Sequence, residues 1–361
     1  MKLLLLGFWH TEYCVKLANS LSKHLKVKLM LPSNIAGDIT EYLSPSTELE
    51  LFQKVERRNP ANLYYSFNIY RSIRKYSPDV IHIQCSGHAW FCFVLPFVKA
   101  AKNKLVFTVH DPLPHPGEET FIRNMADRFV RSIGDHFIVH ANSLKNQMID
   151  IHHLKPDNIH VVPIGSYNFN DDKTEKNSVD QNNILFFGRI QDYKGIEYLI
   201  AAEPIISKSV NNFTITIAGT GKSLDPYLDK IENRKRFVII NRHISETELQ
   251  SLFKSASFIV LPYTEASQSG IIPLAYSYRK PVITTEVGGL SEVVDDGITG
   301  KIVPPRDTCK LAEAICMMLN DKALTRQMGE NAYQKQKTDL SWDLIAQKTI
   351  EVYKQCLKKQ E

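Results

Sequence analysis

Twice along this chain, short apolar runs rich in β-branched residues alternate with amphipathic segments of helical period, and a polar stretch separates the two series. That alternation is the mark of parallel strands joined by crossover helices, with each sheet buried on both faces. The first series predicts strands at residues 2–8, 27–31, 49–52, 80–84, 104–110, 136–140 and 160–163. Helices are predicted between them at 13–25, 61–76, 89–101, 118–133 and 144–152. The second series predicts strands at 183–187, 213–218, 236–241, 258–261, 281–285 and 300–303. Its helices fall at 195–207, 224–232, 246–254, 269–278, 290–295 and 308–318, and helices 324–335 and 341–358 close the chain. The run from Ser166 to Ser178 is too hydrophilic to bury and reads as a linker. No repeat of 20–50 residues is visible, which excludes a solenoid. A length of 361 residues allows two separate cores. The expected fold is α/β: two doubly wound, Rossmann-like domains facing a central cleft, at residues 1–165 and 183–340, with a linker at 166–182.

Composition narrows the class. Hydrophobic content of 43% and charged content of 23% fit an ordinary soluble protein, and no run approaches the roughly 18 apolar residues of a membrane span. The opening Met1–Gly7 is too short an apolar core for a signal peptide and reads as the first buried strand. Cys14, Cys85, Cys92, Cys309, Cys316 and Cys356 form no C-x-x-C pair, so neither a zinc site nor a redox motif is signalled. They read as free, mostly buried thiols in a cytoplasmic protein. The net charge of +5 is uneven. Before Ser166 there are 19 Lys and Arg against 14 Asp and Glu, which leaves 25 against 25 of the totals of 44 and 39. Much of the excess lies near Lys54, Arg57, Arg58, Arg71, Arg74 and Lys75. Two readings stand: a solvated helix face, or a patch meeting anionic lipid on the inner face of a membrane or a pyrophosphate-linked acceptor. No nucleic-acid module accompanies it, so nucleic acid is not an expected partner.

The chemistry is concentrated in two stretches, each following an apolar run that reads as a strand. Gly188-Arg189 and Lys194-Gly195 follow residues 184–187. Pro262-Tyr263-Thr264-Glu265-Ala266-Ser267-Gln268-Ser269-Gly270 follows residues 258–261. The carboxyl ends of parallel strands are where ligands sit. Arg supplies a planar fork matched to phosphate oxygens and Lys a point charge, so the first stretch can stabilise a departing diphosphate. Gly188 permits close backbone approach. Ser267 to Gly270 read as the opening of a helix whose amides face a phosphate, and Glu265 as an acceptor for sugar hydroxyls. Gly288-Gly289-Leu290 offers further amides at a second helix start. A diphosphate carrying a polyhydroxylated group is a nucleotide sugar.

These residues resemble glycosyltransferase family 4, retaining enzymes of the GT-B fold. The resemblance rests on G-R-x4-K-G at Gly188–Gly195, P-Y-x-E-A-S-Q-S-G at Pro262–Gly270, and K-P-V-I-T-T-x-V-G-G-L-x-E-V-V-x-D-G-x-x-G from Lys280. P-D-V-I-H at Pro78–His82, T-V-H-D at Thr108–Asp111 and V-V-P-I-G at Val161–Gly165 extend it over the first half. It implies that Arg189 and Lys194 bind the diphosphate, that Glu265 binds donor-sugar hydroxyls, and that His110 lines the cleft beside the donor sugar. Gly188, Ser267, Gln268, Ser269, Gly270, Gly288, Gly289 and Glu292 form the expected donor site; Gly7, His10 and Asp111 form the expected acceptor side. It also implies a helix, 341–361, that crosses back to complete the first domain. The expected substrates are a UDP- or GDP-sugar and a glycan or lipid-linked acceptor, as in surface polysaccharide or glycolipid biosynthesis.

One departure stands out. The family pairs its first Glu with a second, seven residues intervening, that binds ribose; Pro273 stands at that count, followed by Leu274. Ribose recognition then falls to Glu292 or to backbone groups. No metal and no cofactor is expected: there is no D-x-D, and neither His110 with His115 nor His152 with His153 has the H-E-x-x-H spacing. Gly219-Thr220-Gly221-Lys222-Ser223 lacks the first glycine of a P-loop and reads as a turn. A nucleotide-sugar epimerase of related fold and a non-catalytic nucleotide-sugar-binding protein are the alternative readings.

Overall fold

A computed structural model describes residues 1–56, 59–84, 89–114, 120–168 and 182–358. Arg57, Arg58, Cys85, His115, the first two residues of the helix expected at 118, most of the linker at 166–182 and the last three residues of the chain lie outside the described residues. The chain divides into two units, Met1–Tyr167 with Ser341–Glu361, and Asn168–Leu340.

The first unit is built on seven strands: β1 (Lys2–Gly7), β2 (Lys26–Pro32), β3 (Thr47–Phe52), β4 (Val80–Gln84), β5 (Lys104–Thr108), β6 (His136–Val139) and β7 (Ile159–Val161). Their order is β3-β2-β1-β4-β5-β6-β7. The second unit has six: β8 (Asn183–Phe187), β9 (Thr214–Gly219), β10 (Phe237–Asn241), β11 (Phe258–Leu261), β12 (Val282–Thr285) and β13 (Gly300–Val303), ordered β10-β9-β8-β11-β12-β13. Every pairing is parallel. Central strands such as Leu3–Leu6 and residues 258–261 are wholly buried, which is why they read as unbroken apolar runs rather than as alternation. In each sheet the strand order reverses once, between β1 and β4 and between β8 and β11. Loops leaving such a pair of strands diverge and open a crevice at the carboxyl edge.

Helix Trp342–Lys358 belongs to the first unit. Trp342 is buried, stands edge-on to Tyr13 with ring centroids 5.1 Å apart, and donates from Nε1 to the Ser166 carbonyl at 2.7 Å. Gly165 leaves room for the indole, since a Cβ there would lie 2.7 Å from Trp342 Cε2. Further along the helix, the Tyr353 hydroxyl meets Nδ1 of His82 on β4 at 2.6 Å.

Several helices differ from expectation for local reasons. The segment expected as one helix at 89–101 forms Ala89–Cys92 and Leu95–Ala100, and Pro96 sits in the first turn of the second, where its missing N–H leaves no bond unmade. The helix expected at 224–232 contracts to Asp225–Leu228. Residues 229–236 carry a single apolar side chain, Ile231, and so have no face to bury. Among the described cysteines all are free; Cys14 and Cys356 are buried, while Cys309 is exposed.

Candidate active site

The second unit brings the two chemically marked stretches together at its strand-order reversal. Gly188 and Arg189 leave the end of β8, and Pro262 to Gly270 leave the end of its neighbour β11. The loops are joined directly. The Thr264 amide donates to the Tyr193 carbonyl at 2.9 Å, and the Thr264 hydroxyl donates to the same oxygen at 3.3 Å. Gly195, with φ +65°, lies so close to Pro262 that a Cβ would run into the Pro262 carbonyl oxygen. Only glycine satisfies both the backbone angle and the approach.

Both cations flank one pair of tyrosines. Arg189 Nη2 donates to the Tyr193 hydroxyl at 3.0 Å. The Lys194 ammonium sits 3.6 Å from the ring centroid of Tyr263 and 5.1 Å from that of Tyr193. Tyr263 is fully buried, and a Cβ added at Gly188 would stand 3.8 Å from its hydroxyl. That hydroxyl makes no close hydrogen bond. Burial pushes the phenol up to about 12, while Ser269 and the Arg189 charge pull the other way. Arg189, Ser269 and Gly188 therefore surround one phenol, and Lys194 caps its ring.

The loop from Glu265 to Gly270 corrects one expectation. The helix starts at Ile271, not at Ser269, and runs only to Ser277. Ser267 to Ser269 are loop, and Ser269 Oγ accepts from the Ile271 amide at 3.3 Å. Pro273 occupies the third helical position, where an N–H has no intrahelical partner, so the departure from the family pattern costs the helix no hydrogen bond. Among the described residues the amides of Gln268, Ser269 and Gly270 donate to no chain group, so they are open to solvent or a ligand. Glu265 is exposed at the loop's start. The second expected set of amides is different. The Gly289 N–H donates to the Ser267 carbonyl at 2.9 Å and that of Leu290 to Val287 at 3.2 Å, so both are used inside the protein. Gly288, with φ +50°, is pressed against the Ala266 carbonyl. These two glycines hold the Ala266–Ser267 loop in place, and the Gly289 amide is spent on it. Glu292 is exposed on the short helix Leu290–Val293.

In the first unit, the residues expected on the acceptor side gather at the carboxyl edge of the sheet. His10 precedes helix Thr11–Leu21 in the left-handed conformation, and its ring centroid lies 4.5 Å from that of His110. His140 Nδ1 lies 2.9 Å from the Val162 carbonyl, which only accepts, so Nδ1 carries the proton. Its Nε2 is then an acceptor, and His110 Nδ1, 3.1 Å away, must donate. A neutral His110 therefore has its lone pair on Nε2. That atom is buried and has no partner among the described residues. Burial, with the charges of His10, His140 and His82, holds His110 well below the usual histidine range; burial brings His140 down to about 4. Asp111 follows, half-buried, and its charge pulls His140 upward. Gly7 also answers a packing need. A Cβ there would lie 2.5 Å from Cys14 Sγ, so the glycine lets helix Thr11–Leu21 pack on β1. Lys54 leaves the expected basic patch: it is buried, donates to the Phe8 carbonyl at 2.7 Å and lies 3.0 Å over the Trp9 ring.

Tyr193, Tyr263, Thr264 and His140 were not singled out from the sequence. Each stands inside or beside a marked motif, and a tyrosine or histidine at a buried strand end was the available signal. Among the described residues no group of three or more His, Cys, Asp or Glu could hold a metal ion.

Two consecutive parallel sheets with these strand orders define the GT-B architecture. Comparison with known proteins agrees. The profile of Glycosyltransferase Family 4 matches residues 13–165, and that of Glycosyl transferases group 1 matches residues 181–321. The chain belongs to the family-4 glycosyltransferases. It is 34% identical to glycogen synthase of Mycobacterium tuberculosis over 176 residues, covering 47% of this chain and 42% of the relative. The match thus spans less than half of that relative's length. Sucrose-phosphate synthase from Thermosynechococcus elongatus superposes with a TM-score of 0.77 at 18% identity, over 100% of both chains. Anabaena HepE, solved in complex with UDP-glucose, superposes with a TM-score of 0.78 at 16% identity, over 98% of this chain and 100% of that one. At these identities the two structures speak for the fold alone.

Proposed function

We propose that the protein transfers a sugar from a UDP- or GDP-sugar to a hydroxyl of a glycan or lipid-linked acceptor, with retention at the anomeric carbon, in surface polysaccharide or glycolipid synthesis. The observation that carries this reading is the convergence of Arg189, Lys194 and Ser269 around Tyr263 at the switch point of the second sheet. As the bond from the anomeric carbon to the diphosphate breaks, its electron pair passes to the leaving oxygen. Two fixed cations and oriented amides stabilise that charge without proton transfer, so the reading needs no metal. The acceptor oxygen bonds to the anomeric carbon from the face the diphosphate leaves, and its proton passes to the departing phosphate oxygen. Glu265 is assigned to sugar hydroxyls, and the His110 Nε2 lone pair to a substrate hydroxyl that lacks a partner until it arrives. Glu292 is the side chain proposed for ribose.

The test is incubation with a panel of nucleotide sugars and candidate acceptors, with and without EDTA. Acceptor-dependent release of nucleoside diphosphate, unchanged by EDTA, is the expected result. Interconversion of two donors without acceptor would point to an epimerase, and binding without turnover to a non-catalytic protein. Either would overturn the proposal.

A further inference from the structure

The two units differ in how much apolar surface they leave to solvent. Among the described residues of the second unit, only Val238 and Ile298 are exposed large hydrophobics. The first unit exposes more of them, and a group of them lies on three neighbouring helices. Helix Ala61–Tyr76 exposes Tyr64 and Phe67, helix Leu95–Ala100 exposes Phe97, and helix Phe121–Ile133 exposes Phe121, Ile122 and Met125, with Phe121 at 77%. These side chains are not scattered. The Phe67 and Tyr70 rings lie 5.8 Å apart and those of Tyr70 and Phe97 6.2 Å. The short helix Ala89–Cys92 packs against all three helices. Exposed apolar side chains clustered on adjoining helices mark an interaction surface, whereas single exposed hydrophobics do not.

Charge decides what the surface meets. The four helices carry seven cations and one carboxylate, Asp127, which pairs with Arg123 at 3.8 Å. In both long helices the order along the exposed face is the same. Tyr64 and Phe67 come first and Arg71, Arg74 and Lys75 follow; Phe121 and Met125 come first and Arg128 follows. Apolar first turns backed by a cationic belt match an interface of acyl chains beneath anionic headgroups. A second copy of this chain would set cations against cations, and a neutral glycan would leave the belt unused. Each helix runs back from the carboxyl edge of the sheet, so its first turns lie at the edge where His10 and His110 emerge.

We infer that this helical layer docks the first unit on an anionic lipid surface, inserting Tyr64, Phe67, Phe97 and the Phe121–Met125 turn among the headgroups. The inference deepens the transferase reading, and rests on it for its meaning, because docking in this orientation offers the His10–His110 edge to an acceptor anchored in the bilayer.

The test is co-sedimentation of the full chain with vesicles of phosphatidylcholine alone or mixed with phosphatidylglycerol, at low and high salt. Binding of UDP and GDP is followed in parallel by thermal shift. The vesicles contain no acceptor, so the result is independent of turnover. Sedimentation with the anionic vesicles that weakens at high salt is expected. Arg71→Ala with Arg128→Ala should lower partition about thirtyfold, at about 1 kcal/mol per cation. Phe121→Ser with Met125→Ser should lower it by about tenfold or more. Both variants should keep the wild-type melting temperature and nucleotide binding. Wild-type protein that stays in the supernatant overturns the inference, as do variants that bind like wild type. Sedimentation without vesicles that the variants abolish would show self-association and overturn it too. Loss of nucleotide binding by wild type with vesicle binding intact would instead strike the donor reading alone.

Discussion

Lys194 holds its ammonium 3.6 Å from the ring centroid of Tyr263, a side chain with no exposed surface. The contact crosses from the loop after β8 to the loop after β11. It packs the cation on an aromatic face that belongs to the neighbouring loop. A cation over a ring is worth about 0.5–2 kcal/mol, enough to help hold a flexible side chain in place.

The ring and not the hydroxyl is what Lys194 uses. Tyr263→Phe is therefore expected to keep turnover within about threefold. Tyr263→Leu removes the π-face and should lower kcat by about tenfold, within the range of a lost cation–π contact. A large loss in Tyr263→Phe would show that the hydroxyl, which faces Gly188 and Ser269, acts on substrate itself.

Gly195 joins the two loops and tolerates no Cβ against the Pro262 carbonyl. Gly195→Ala should destabilise the second unit by roughly 2–4 kcal/mol, since it adds backbone strain to a steric clash. Thermal melting should drop by about 5–15 °C for a unit of this size. An unchanged melting temperature would mean the loops separate easily and do not form a fixed site.

Acid should weaken the first unit. His140 is held down to about 4 and His82 to about 3, both by burial first, with His110 also well below its usual range. These rings are neutral when folded, but they bind a proton when unfolded below about pH 6.5. The stability they contribute is therefore complete above that pH and is lost as pH falls toward 4 and below, on the order of 3 kcal/mol for His140. Urea midpoints at pH 7.5 and 5 measure the loss. His82→Gln should flatten the slope, and a midpoint independent of pH would contradict the assignment.

Glu265 stands exposed where a sugar hydroxyl would meet it. Glu265→Gln keeps the shape and loses the charge. A hydrogen bond to a charged acceptor is worth about 1.5–3 kcal/mol, so kcat/KM should fall by about 10- to 100-fold while UDP or GDP affinity, read by calorimetry, stays within about twofold. Equal losses in both would place Glu265 at the nucleotide instead.

Both sheets were legible in the sequence because a parallel strand buried on both faces is an unbroken apolar run, and residues 184–187 and 258–261 are such runs. Helix ends were less legible. The start at Ile271, two residues later than expected, goes with a local bond from its amide to the Ser269 side chain and with the Ala266–Ser267 loop held under Gly288 and Gly289, the latter a tertiary contact. Arg189, Lys194 and Glu265 stood out as charges at strand ends. Tyr263 and His140 did not, because a buried aromatic or histidine has the same sequence signature whether it packs a core or positions a ligand. The internal contacts of Gly7 with Cys14 and of Gly289 with Ser267 were not legible either, because both are set by the tertiary fold.

The most direct measurement is calorimetric binding of nucleoside diphosphate and nucleoside monophosphate to wild type, Arg189→Ala and Lys194→Ala. If these side chains grip the departing diphosphate, each variant should lose about tenfold or more in affinity for the diphosphate, while the monophosphate, which lacks the β-phosphate, changes little. Diphosphate affinity unchanged in both variants would contradict the account.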